Sequence, residues 1–396
     1  FGFKPKHSTT ECTFVLNHVV HHYSTRSTQC YILLLDASKA FDRVEYVRLF
    51  SLLRQRGLSS KLCLLLAQLY TNQSMRVRWK QSISREFQCS NGVKQGGVLS
   101  PNLFCIFFDE LLRLLEDSGV GCYLGHRFVG ALSYADDVAL IAPTITAARM
   151  MLRVCEDFAS SYKVLFNAEK SVLLRPVSPA EGELVLNGSK IQENNSAIHL
   201  GTRIGANSSK ANIQKAVSDL YYATNIVMSK FGHCSCIVLS RLFESYCTSF
   251  YGSPLWCVAD IDPLVTAWRK CIKRIWKLNM RTRTKYVTLL SKVDFFQMFL
   301  LRFYNFFINC SLSSNPNVHL VFRMCQFEYC TSIRNLHACV DNSKVALNDI
   351  FTQPSVVRRR LKNMYRIEHE KAWTLRFESS RGASPESFQN LRVHAF

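Results

Sequence analysis

The sequence lacks the marks of a membrane protein and of a secreted one. No stretch is both long and apolar enough to span a bilayer, since even residues 303–322, which carry no charge, include four Asn and a Pro. No signal peptide precedes the 16 cysteines, which are scattered through apolar segments. We therefore expect reduced thiols in an intracellular compartment. The chain opens on Phe1-Gly2-Phe3 without an initiator Met, which predicts a fragment of a longer protein.

Acidic residues are scarce. The chain has 29 Asp and Glu against 49 Lys and Arg, and its formal net charge is +20. Residues 1–200 hold 22 basic and 17 acidic side chains, whereas residues 201–396 hold 27 and 12. Such a surplus attracts polyanions. Because no basic amphipathic anchor or lipidation motif accompanies it, we expect a nucleic acid rather than an anionic membrane, with a solvated surface as the alternative.

The sequence also lacks internal repeats and low-complexity segments. With 48% hydrophobic and 12% aromatic residues, its 396 residues suffice for two or three folded domains. Residues 1–175 alternate strand-like and helix-like blocks, which is typical of an α+β domain. Residues 176–179 (PVSP) predict a hinge, and Asn187-Gly188 suits the type I′ turn of a small hairpin at 184–191. Beyond residue 205 we expect mainly helices and a loosely ordered basic tail at 355–396, which includes Arg358, Arg359 and Arg360.

Local patterns predict the elements of the first 175 residues. Apolar runs predict strands at 31–35, 128–133, 138–141 and 172–174, and two further strands at 75–79 and 85–89. Helical spacing predicts helices at 45–56 and 147–161. The predicted inner face of the second helix consists of Met150, Met151, Val154, Cys155 and Phe158. Ser100 as N-cap and Pro101 as first helical residue predict another helix, from 100 to about 116.

Carboxylates stand where strands should hold apolar residues. Asp36 ends the apolar run 31–35, where a buried charge is costly unless it is paired or bound to a metal. Asp136 and Asp137 occupy the tight turn between two predicted strands, where they repel one another. Oxygen donors of this kind suit Mg²⁺, and two such ions about 4 Å apart can promote phosphoryl transfer. The alternative is an Asp pair that merely caps an exposed turn.

Three ordered motifs carry a family resemblance. Residues 35–42 (LDASKAFD), 92–101 (GVKQGGVLSP) and 134–137 (YADD) resemble the successive palm motifs of a reverse transcriptase, in a form similar to that of non-LTR (LINE-type) retrotransposons. Residues 1–4 resemble the segment before the palm, where Arg is commoner than Lys4. Residues 167–171 resemble the motif after the catalytic hairpin, and residues 199–201 the primer-grip hairpin. The resemblance covers about residues 1–205.

The resemblance implies an α+β fold, a right-hand polymerase palm followed by a helical thumb. It implies partial fingers and palm at 1–205, a helical thumb-like region at 206–300 and a basic, mainly helical region at 301–396. The metal-binding catalytic residues would be Asp36, Asp136 and Asp137, with Lys170 as the general acid for pyrophosphate release. Phe41 would exclude the ribose hydroxyl, and the remaining residues at the substrate would be Gln95, Gly96 and Tyr134. The alternative for Phe41 is an ordinary core aromatic, and for Gln95 and Gly96 an ordinary loop. Tyr134 could simply fill the core of the hairpin. Without the resemblance, Lys170 would be interpreted as a surface lysine.

A basic segment without acids lies in the second half. Residues 268–286 contain three aromatic residues, Trp268, Trp276 and Tyr286, among eight Lys and Arg, a mixture that suits backbone tracking and base stacking. The predicted nucleic-acid contacts are Arg269, Lys270, Lys273, Arg274, Trp276 and Lys277. The alternative is a solvated helix face above an apolar stripe.

Four residues could form a zinc site: Cys325, Cys330, His337 and Cys339. Their spacing is not usual for structural zinc, because one residue between His337 and Cys339 leaves little room for two ligands of a tetrahedral ion. Buried thiols are the preferred interpretation. Lys94-Gln95-Gly96-Gly97 is not a P-loop, since it lacks the Gly-x-x-x-x-Gly-Lys-Ser/Thr pattern, so ATP hydrolysis is not implied.

These patterns together predict an RNA-directed DNA polymerase. Its partners would be an RNA template, a DNA primer and deoxynucleoside triphosphates, with two Mg²⁺ ions or possible Mn²⁺ as cofactors and no membrane. The expected location is cytoplasmic as a ribonucleoprotein, and nuclear during integration. The alternative is a decayed or domesticated copy that only binds RNA. A third hypothesis, RNA synthesis on RNA, is disfavoured by Phe41.

Overall fold

A computed structural model describes residues 1–28, 30–175, 182–284, 287, 295–328 and 330–343, with isolated positions between 351 and 363. The chain divides into two compact units, Phe1–Gly205 and Ala206–Phe396. The predicted hinge at 176–179 lies outside the described residues, as do Arg358, Arg360 and most of the basic tail. No helix in the described ranges combines the length and apolarity needed to cross a membrane.

The first unit mixes helices and strands. Its helices are α1 (Thr9–Thr25), α2 (Tyr46–Gln55), α3 (Ser60–Thr71), α4 (Ser100–Asp117) and α5 (Ile145–Tyr162). The described strands are β1 (Tyr31–Ala37), β2 (Ser74–Met75), β3 (Arg78–Trp79), β4 (Ser82–Ile83), β5 (Phe87–Gln88), β6 (Tyr123–Leu124), β7 (Arg127–Phe128), β8 (Ala131–Tyr134), β9 (Asp137–Ala142), β10 (Phe166–Leu174), β11 (Val185–Leu186), β12 (Ser189–Lys190), β13 (Gln192–Asn194), β14 (Ser196–His199) and β15 (Thr202–Gly205).

The main sheet has the strand order β13-β10-β1-β9-β8. The central strand β1 runs antiparallel to both β9 and β10, and β13 runs parallel to β10. Alternate residues of β1, Tyr31, Leu33 and Leu35, lie in one core with Phe104 of α4 and Phe158 of α5. Because strand side chains alternate between faces, the even-numbered residues of β1, Asp36 among them, lie on the other face of the sheet.

The predicted strands at 31–35, 138–141 and 172–174 are confirmed, and the hairpin at Asn187-Gly188 is confirmed in detail. These two residues have φ values of 51° and 78°, as a type I′ turn requires, between β11 and β12. The predicted strand 172–174 is part of a longer strand that begins at Phe166. The predicted strand 128–133 is divided, because Phe128 pairs with Tyr123 in a separate hairpin before β8 begins.

Three local predictions were wrong. In place of two strands at 75–79 and 85–89, residues 74–88 form four two-residue strands, and β4 lies between the two predicted segments. The ladder is interrupted because the Ser84 hydroxyl accepts the Val77 N–H at 2.8 Å. Leu99, not Ser100, is the N-cap of α4, and no side chain caps this helix. Met150 is 48% exposed, whereas Met151 is buried, so the inner face of α5 includes the second of the two methionines.

The second unit is mainly helical in its described part, as predicted. Its helices are α6 (Ser208–Phe231), α7 (Cys236–Tyr246), α8 (Asp262–Ile275), α9 (Phe295–Ser311), α10 (Pro316–Met324) and α11 (Thr331–Ser343), with 3₁₀ turns at Ser253–Leu255 and Val258–Asp260. Buried rings of α9, Phe303 and Phe307 among them, form part of its core. The predicted boundary between residues 300 and 301 falls inside α9.

Candidate active site

The candidate site lies where the central strand of the sheet ends. In the antiparallel pairing of β1 with β9, Asp36 is directly opposite Asp137. Their neighbours Leu35 and Val138 lie in the core on one face of the sheet. Because side chains alternate along a strand, both carboxylates project from the opposite face. On the other side of β1, Asn167 of β10 is the partner of Asp36. The sheet therefore brings together two carboxylates that are about a hundred residues apart in the chain.

The third carboxylate sits on the turn between β8 and β9. Ala135 adopts a left-handed conformation with φ of 57°, and its carbonyl oxygen accepts a hydrogen bond of 2.8 Å from the Ser133 hydroxyl. This geometry places Asp136 at the tip of the turn, where it is half-buried. Tyr134 is also half-buried and is the register partner of Asp137.

The three carboxylates repel one another. Burial raises the pKa of Asp137 above its ordinary value, and the charges of Asp136 and Asp36 raise it further. Like charges that face each other across strands are destabilising, and a divalent cation would relieve this cost through oxygen ligands of the kind that Mg²⁺ prefers. Among the described residues, the donor atoms that gather within 4.8 Å of one another do not include these carboxylates. A cation held by all three carboxylates would therefore require their oxygens to move closer to one another.

A bulge in β10 faces Asp36. The side-chain oxygen of Asn167 accepts the backbone N–H groups of Glu169 and Lys170 at 2.9 and 3.4 Å. The Ser171 hydroxyl donates to the Asn167 carbonyl oxygen at 2.6 Å and accepts the Asp36 N–H at 3.3 Å. These bonds fold four residues of β10 outward, so the register with β1 shifts beside Asp36.

The bulge carries Lys170 to the carboxylates. Its Nζ lies 3.8 Å from Oδ2 of Asp36, and both side chains are partly exposed. Exposed ion pairs of this kind are weak, so the ammonium group can exchange this partner for another anion. The geometry brings Lys170 into the site that the sequence predicts for it, and its role as general acid stays a prediction.

Phe41 lies on the turn that follows β1. Its ring stacks on Phe104 with centroids 4.1 Å apart and planes at 11°, and the Phe3 ring meets it edge-on at 5.8 Å. The Phe41 carbonyl oxygen accepts the Val93 N–H at 2.9 Å. Phe41 is half-buried, so it is attached to the core and keeps an exposed part of its ring beside the site. Exclusion of a ribose hydroxyl stays a prediction.

The loop with Gln95 and Gly96 is anchored beside this turn. The Tyr46 hydroxyl donates to the Gly92 carbonyl oxygen at 3.0 Å, and the Gly92 N–H donates to the Val44 carbonyl oxygen at 2.9 Å. Gln95 and Gly96 themselves are exposed, and Gly96 has a φ of 82°, where glycine is favoured. Both residues are therefore accessible to a substrate.

Gly2 is a site residue that the sequence motifs did not single out. A Cβ atom at this position would lie 2.5 Å from the Ala135 nitrogen and 3.2 Å from the Tyr134 carbonyl carbon. The backbone of residue 2 thus lies directly against the turn that carries Asp136. In the sequence, the one indication of a role for Gly2 was its position in the segment FGFK. The contact of Gly2 with a turn 133 residues away depends on the tertiary fold.

The predicted primer-grip segment forms the hairpin of β14 and β15. Leu200 and Gly201 make its turn, with φ values of 48° and 74°. His199 is buried, and desolvation lowers its pKa to about 4. Its imidazole is therefore neutral at neutral pH and belongs to the packed side of the hairpin.

The comparisons with known proteins bear on the family of this chain. The model of the family described as reverse transcriptase (RNA-dependent DNA polymerase) matches residues 1–216, which is more than half of the chain. The chain belongs to the reverse transcriptase family. The predicted resemblance and the predicted fold class, a polymerase palm followed by mainly helical structure, are thereby confirmed. Enzymes of this family generally use divalent metal ions.

The relatives include proteins of retrotransposable elements. The chain is 32% identical over 169 residues to the Pol polyprotein of element R2DM from Drosophila melanogaster, covering 43% of this chain and 16% of that protein. It is 33% identical over 134 residues to the R2 polyprotein of Nasonia vitripennis, covering 34% and 13%. The chain thus spans a small part of these relatives. Among solved structures, telomerase from Candida albicans is similar over 90% of this chain and 55% of the telomerase chain, at 11% sequence identity and a TM-score of 0.43.

The basic segment 268–286 begins within α8. Lys273 is buried, and its ammonium group donates to the Met280 carbonyl oxygen at 2.7 Å. Trp268 is buried beside Phe295, with ring centroids 5.7 Å apart. Both side chains belong to the packed interior of the second unit, so Lys273 is not the exposed nucleic-acid contact that the sequence predicts. A buried lysine needs a partner, and a backbone carbonyl oxygen of the same segment supplies it.

The other predicted contacts of this segment are more accessible. Lys270, Arg274 and Lys277 are exposed, whereas Arg269 and Trp276 are half-buried. The Arg274 guanidinium donates to the side-chain oxygen of Asn225 on α6. Lys285 and Tyr286 lie outside the described residues. Nucleic-acid binding by this segment stays a prediction, with Lys270 and Lys277 as its best test.

The double substitution Lys270→Gln with Lys277→Gln should weaken RNA binding and make its salt dependence shallower. Each phosphate contact that is lost removes about 0.7 from the log-log slope for a single strand. The measurement is a binding titration at several salt concentrations. Lys210→Gln with Lys215→Gln on α6 removes the same charge from the same unit. If both pairs change the slope equally, the α8 segment has no special role.

The four residues proposed for zinc do not gather as a set. Cys325 and Cys330 are buried, and the Cys330 thiol lies 3.9 Å from the Cys325 sulfur as a hydrogen-bond donor. This contact and burial raise the pKa of Cys325. His337 is exposed and joins no three-donor group with them in the described part of the chain, and the Cys339 side chain lies outside it. Buried thiols remain the better interpretation.

Proposed function

We propose that the reverse transcriptase acts as the RNA-directed DNA polymerase of a non-LTR retrotransposon. The observation that carries this proposal is the pairing of Asp36 with Asp137 across neighbouring strands, with Asp136 on the adjoining turn. Family membership supports the reaction class, and the retrotransposon relatives support the biological context.

The reaction would join a deoxynucleotide to a primer. The oxygen of the primer 3′-hydroxyl attacks the α-phosphate of a deoxynucleoside triphosphate, the bond to the β-phosphate breaks, and pyrophosphate leaves. Two divalent cations, when bound, would stabilise the attacking and leaving oxygens. Asp36, Asp136 and Asp137 would hold these cations, with Mg²⁺ as the expected metal and Mn²⁺ as a substitute.

The residues around the carboxylates would handle the nucleotide and the template. The Lys170 ammonium group would leave its contact with Asp36, bind the leaving pyrophosphate and donate a proton to the pyrophosphate. Phe41 would contact the sugar, and Gln95 with Gly96 would approach the base pair from the exposed loop. Tyr134, next to the acidic turn, would pack near the primer terminus. An RNA template and a DNA primer complete the set of proposed partners.

Primer extension with controlled metal tests the proposal. We expect the full-length protein to extend a DNA primer on an RNA template with Mg²⁺, to lose this activity in excess chelator, and to regain it when Mg²⁺ is restored. Loss without recovery would point to unfolding instead, so folding is followed by circular dichroism in each state. Extension that continues undiminished in chelator would contradict a metal-dependent polymerase.

An inactive copy that only binds RNA is the alternative. It predicts RNA binding without primer extension under every metal condition. The retained set of Asp36, Asp136 and Asp137 argues against it, because three mutually repelling carboxylates have no evident structural use.

A further inference from the structure

Three aromatic rings from separate parts of the chain meet beside the acidic turn. Phe41, on the turn after β1, is stacked on Phe104 of α4, with centroids 4.1 Å apart and planes at 11°. Phe104 is fully buried and stacks in turn on Phe108, at 5.4 Å and 18°. Phe3 approaches Phe41 from another direction at 5.8 Å, with planes at 88°. Phe41 is therefore confined on two sides by other rings.

The backbone of Phe41 is held separately from its ring. Its carbonyl oxygen accepts the Val93 N–H at 2.9 Å, which ties the turn to the loop before Gln95. The ring could rotate about its side-chain torsions even while this bond persists, so the neighbouring rings must set its rotamer. Stacked and edge-on contacts at these distances are favourable for aromatic pairs.

Phe3 occupies its position at an energetic cost. Its φ is 59°, a conformation that bulky side chains rarely adopt, and its ring is 48% exposed. An exposed ring contributes less to the core than a buried one, so core packing alone explains this strain poorly. Strained backbone is concentrated at functional sites, where the surrounding structure maintains it.

We propose that Phe104 and Phe3 are positioning residues for the choice of sugar. They hold the Phe41 ring where it collides with the 2′-hydroxyl of a ribonucleotide and spares a deoxyribonucleotide. This inference rests on the proposed function, in which Phe41 contacts the sugar. It adds that discrimination between deoxyribonucleotides and ribonucleotides depends on three rings rather than one. A Phe41 ring that could rotate freely would move aside and admit the 2′-hydroxyl.

The test compares three leucine variants of the full-length protein. Phe104→Leu and Phe3→Leu should each lower the ratio of kcat/KM for a deoxynucleotide to that for the matching ribonucleotide, by roughly three- to tenfold. Phe107→Leu is the matched control. Phe107 is on the same helix and equally buried, but its ring contacts Tyr162 at 5.5 Å. It should lose comparable stability without changing the ratio.

A double-mutant cycle separates positioning from general damage. Phe41→Val should lower the ratio by about tenfold or more. In that background, Phe104→Leu and Phe3→Leu should lower it no further, since there is no ring left to position. Equal effects in both backgrounds, or an effect of Phe107→Leu as large as that of Phe104→Leu, would overturn the inference.

The outcome for Phe41→Val alone tests the proposed sugar contact. If this variant leaves the ratio unchanged, the role of Phe41 in the proposed function is wrong, and the inference falls with it. If Phe41→Val lowers the ratio and the two leucine variants do not, Phe41 keeps its role and the inference alone is wrong. Should Phe104→Leu fail to fold, Phe3→Leu decides the matter, because Phe3 is about half exposed and its replacement disturbs the core less.

Discussion

Replacing Asp136 by Asn should lower the rate of primer extension by about a thousandfold or more. The substitution removes one of three charges that would hold divalent cations at the turn between β8 and β9, and metal-assisted charge stabilisation supplies several kcal/mol in such reactions. The measurement is single-turnover extension on an RNA template at saturating Mg²⁺. Asp157→Asn, an exposed carboxylate on α5, is the matched control and should leave the rate unchanged.

Replacing a carboxylate of this site should not lower the thermal stability of the metal-free protein, although it lowers the rate of primer extension. Without divalent metal, Asp137→Asn should leave Tm unchanged or raise it, because it removes the repulsion from Asp36 and Asp136. Added Mg²⁺ should raise Tm of the parent more than that of the variant, since a ligand stabilises the state that binds it. Primer extension by Asp136→Asn at the parent's rate, or an equal Mg²⁺ effect in parent and variant, would contradict the metal assignment.

Gly2→Ala should cost about a hundredfold in extension rate. The added Cβ would lie 2.5 Å from the Ala135 nitrogen, closer than carbon and nitrogen approach without a bond, and the obstacle is backbone that cannot rotate away. The turn beside Asp136 must therefore move, and a displacement of about 1 Å at a catalytic centre can cost about a hundredfold. Single-turnover extension measures the loss.

A second glycine provides the control for this prediction. Gly119 follows α4 with a φ of 67° and has no heavy atom within 4 Å of an added Cβ, so Gly119→Asn should be tolerated there. Gly2→Ala should lose activity while its unfolding transition stays close to that of the parent. If Gly2→Ala keeps the parent's rate, the first residues adjust to the turn rather than hold it.

The second unit shows where composition misleads. The segment 268–286 has many basic residues and no acid, yet Lys273 is buried against a carbonyl oxygen and Trp268 lies in the core. A helix that packs on one side must bury some of its residues, and amphipathic side chains such as Lys can do so when a polar partner is near. Which lysine becomes buried depends on the neighbouring segments, and charge counts do not contain that information.

The first unit shows a similar limit in its small strands. Residues 75–89 carry apolar residues at strand-like spacing, and most of them remain exposed, including Trp79 and Ile83. The pattern therefore predicted extended backbone correctly, but it did not predict how long each strand is. Side-chain to backbone bonds such as that of Ser84 to Val77 decide where a ladder is interrupted, and these depend on turn geometry.

The sequence by itself determined the family and the order of its motifs, and it predicted the three carboxylates of the candidate site. Apolar runs identified the strands that carry Asp36 and Asp137, because a buried strand must be apolar apart from its functional residues. Only the tertiary structure decided that Asp36 faces Asp137 in register, that a bulge brings Lys170 to Asp36, and that Gly2 and Phe104 support the turn and the Phe41 ring. These contacts join residues far apart in the chain, and strand register and side-chain packing, which set them, arise when the whole sheet and its helices assemble.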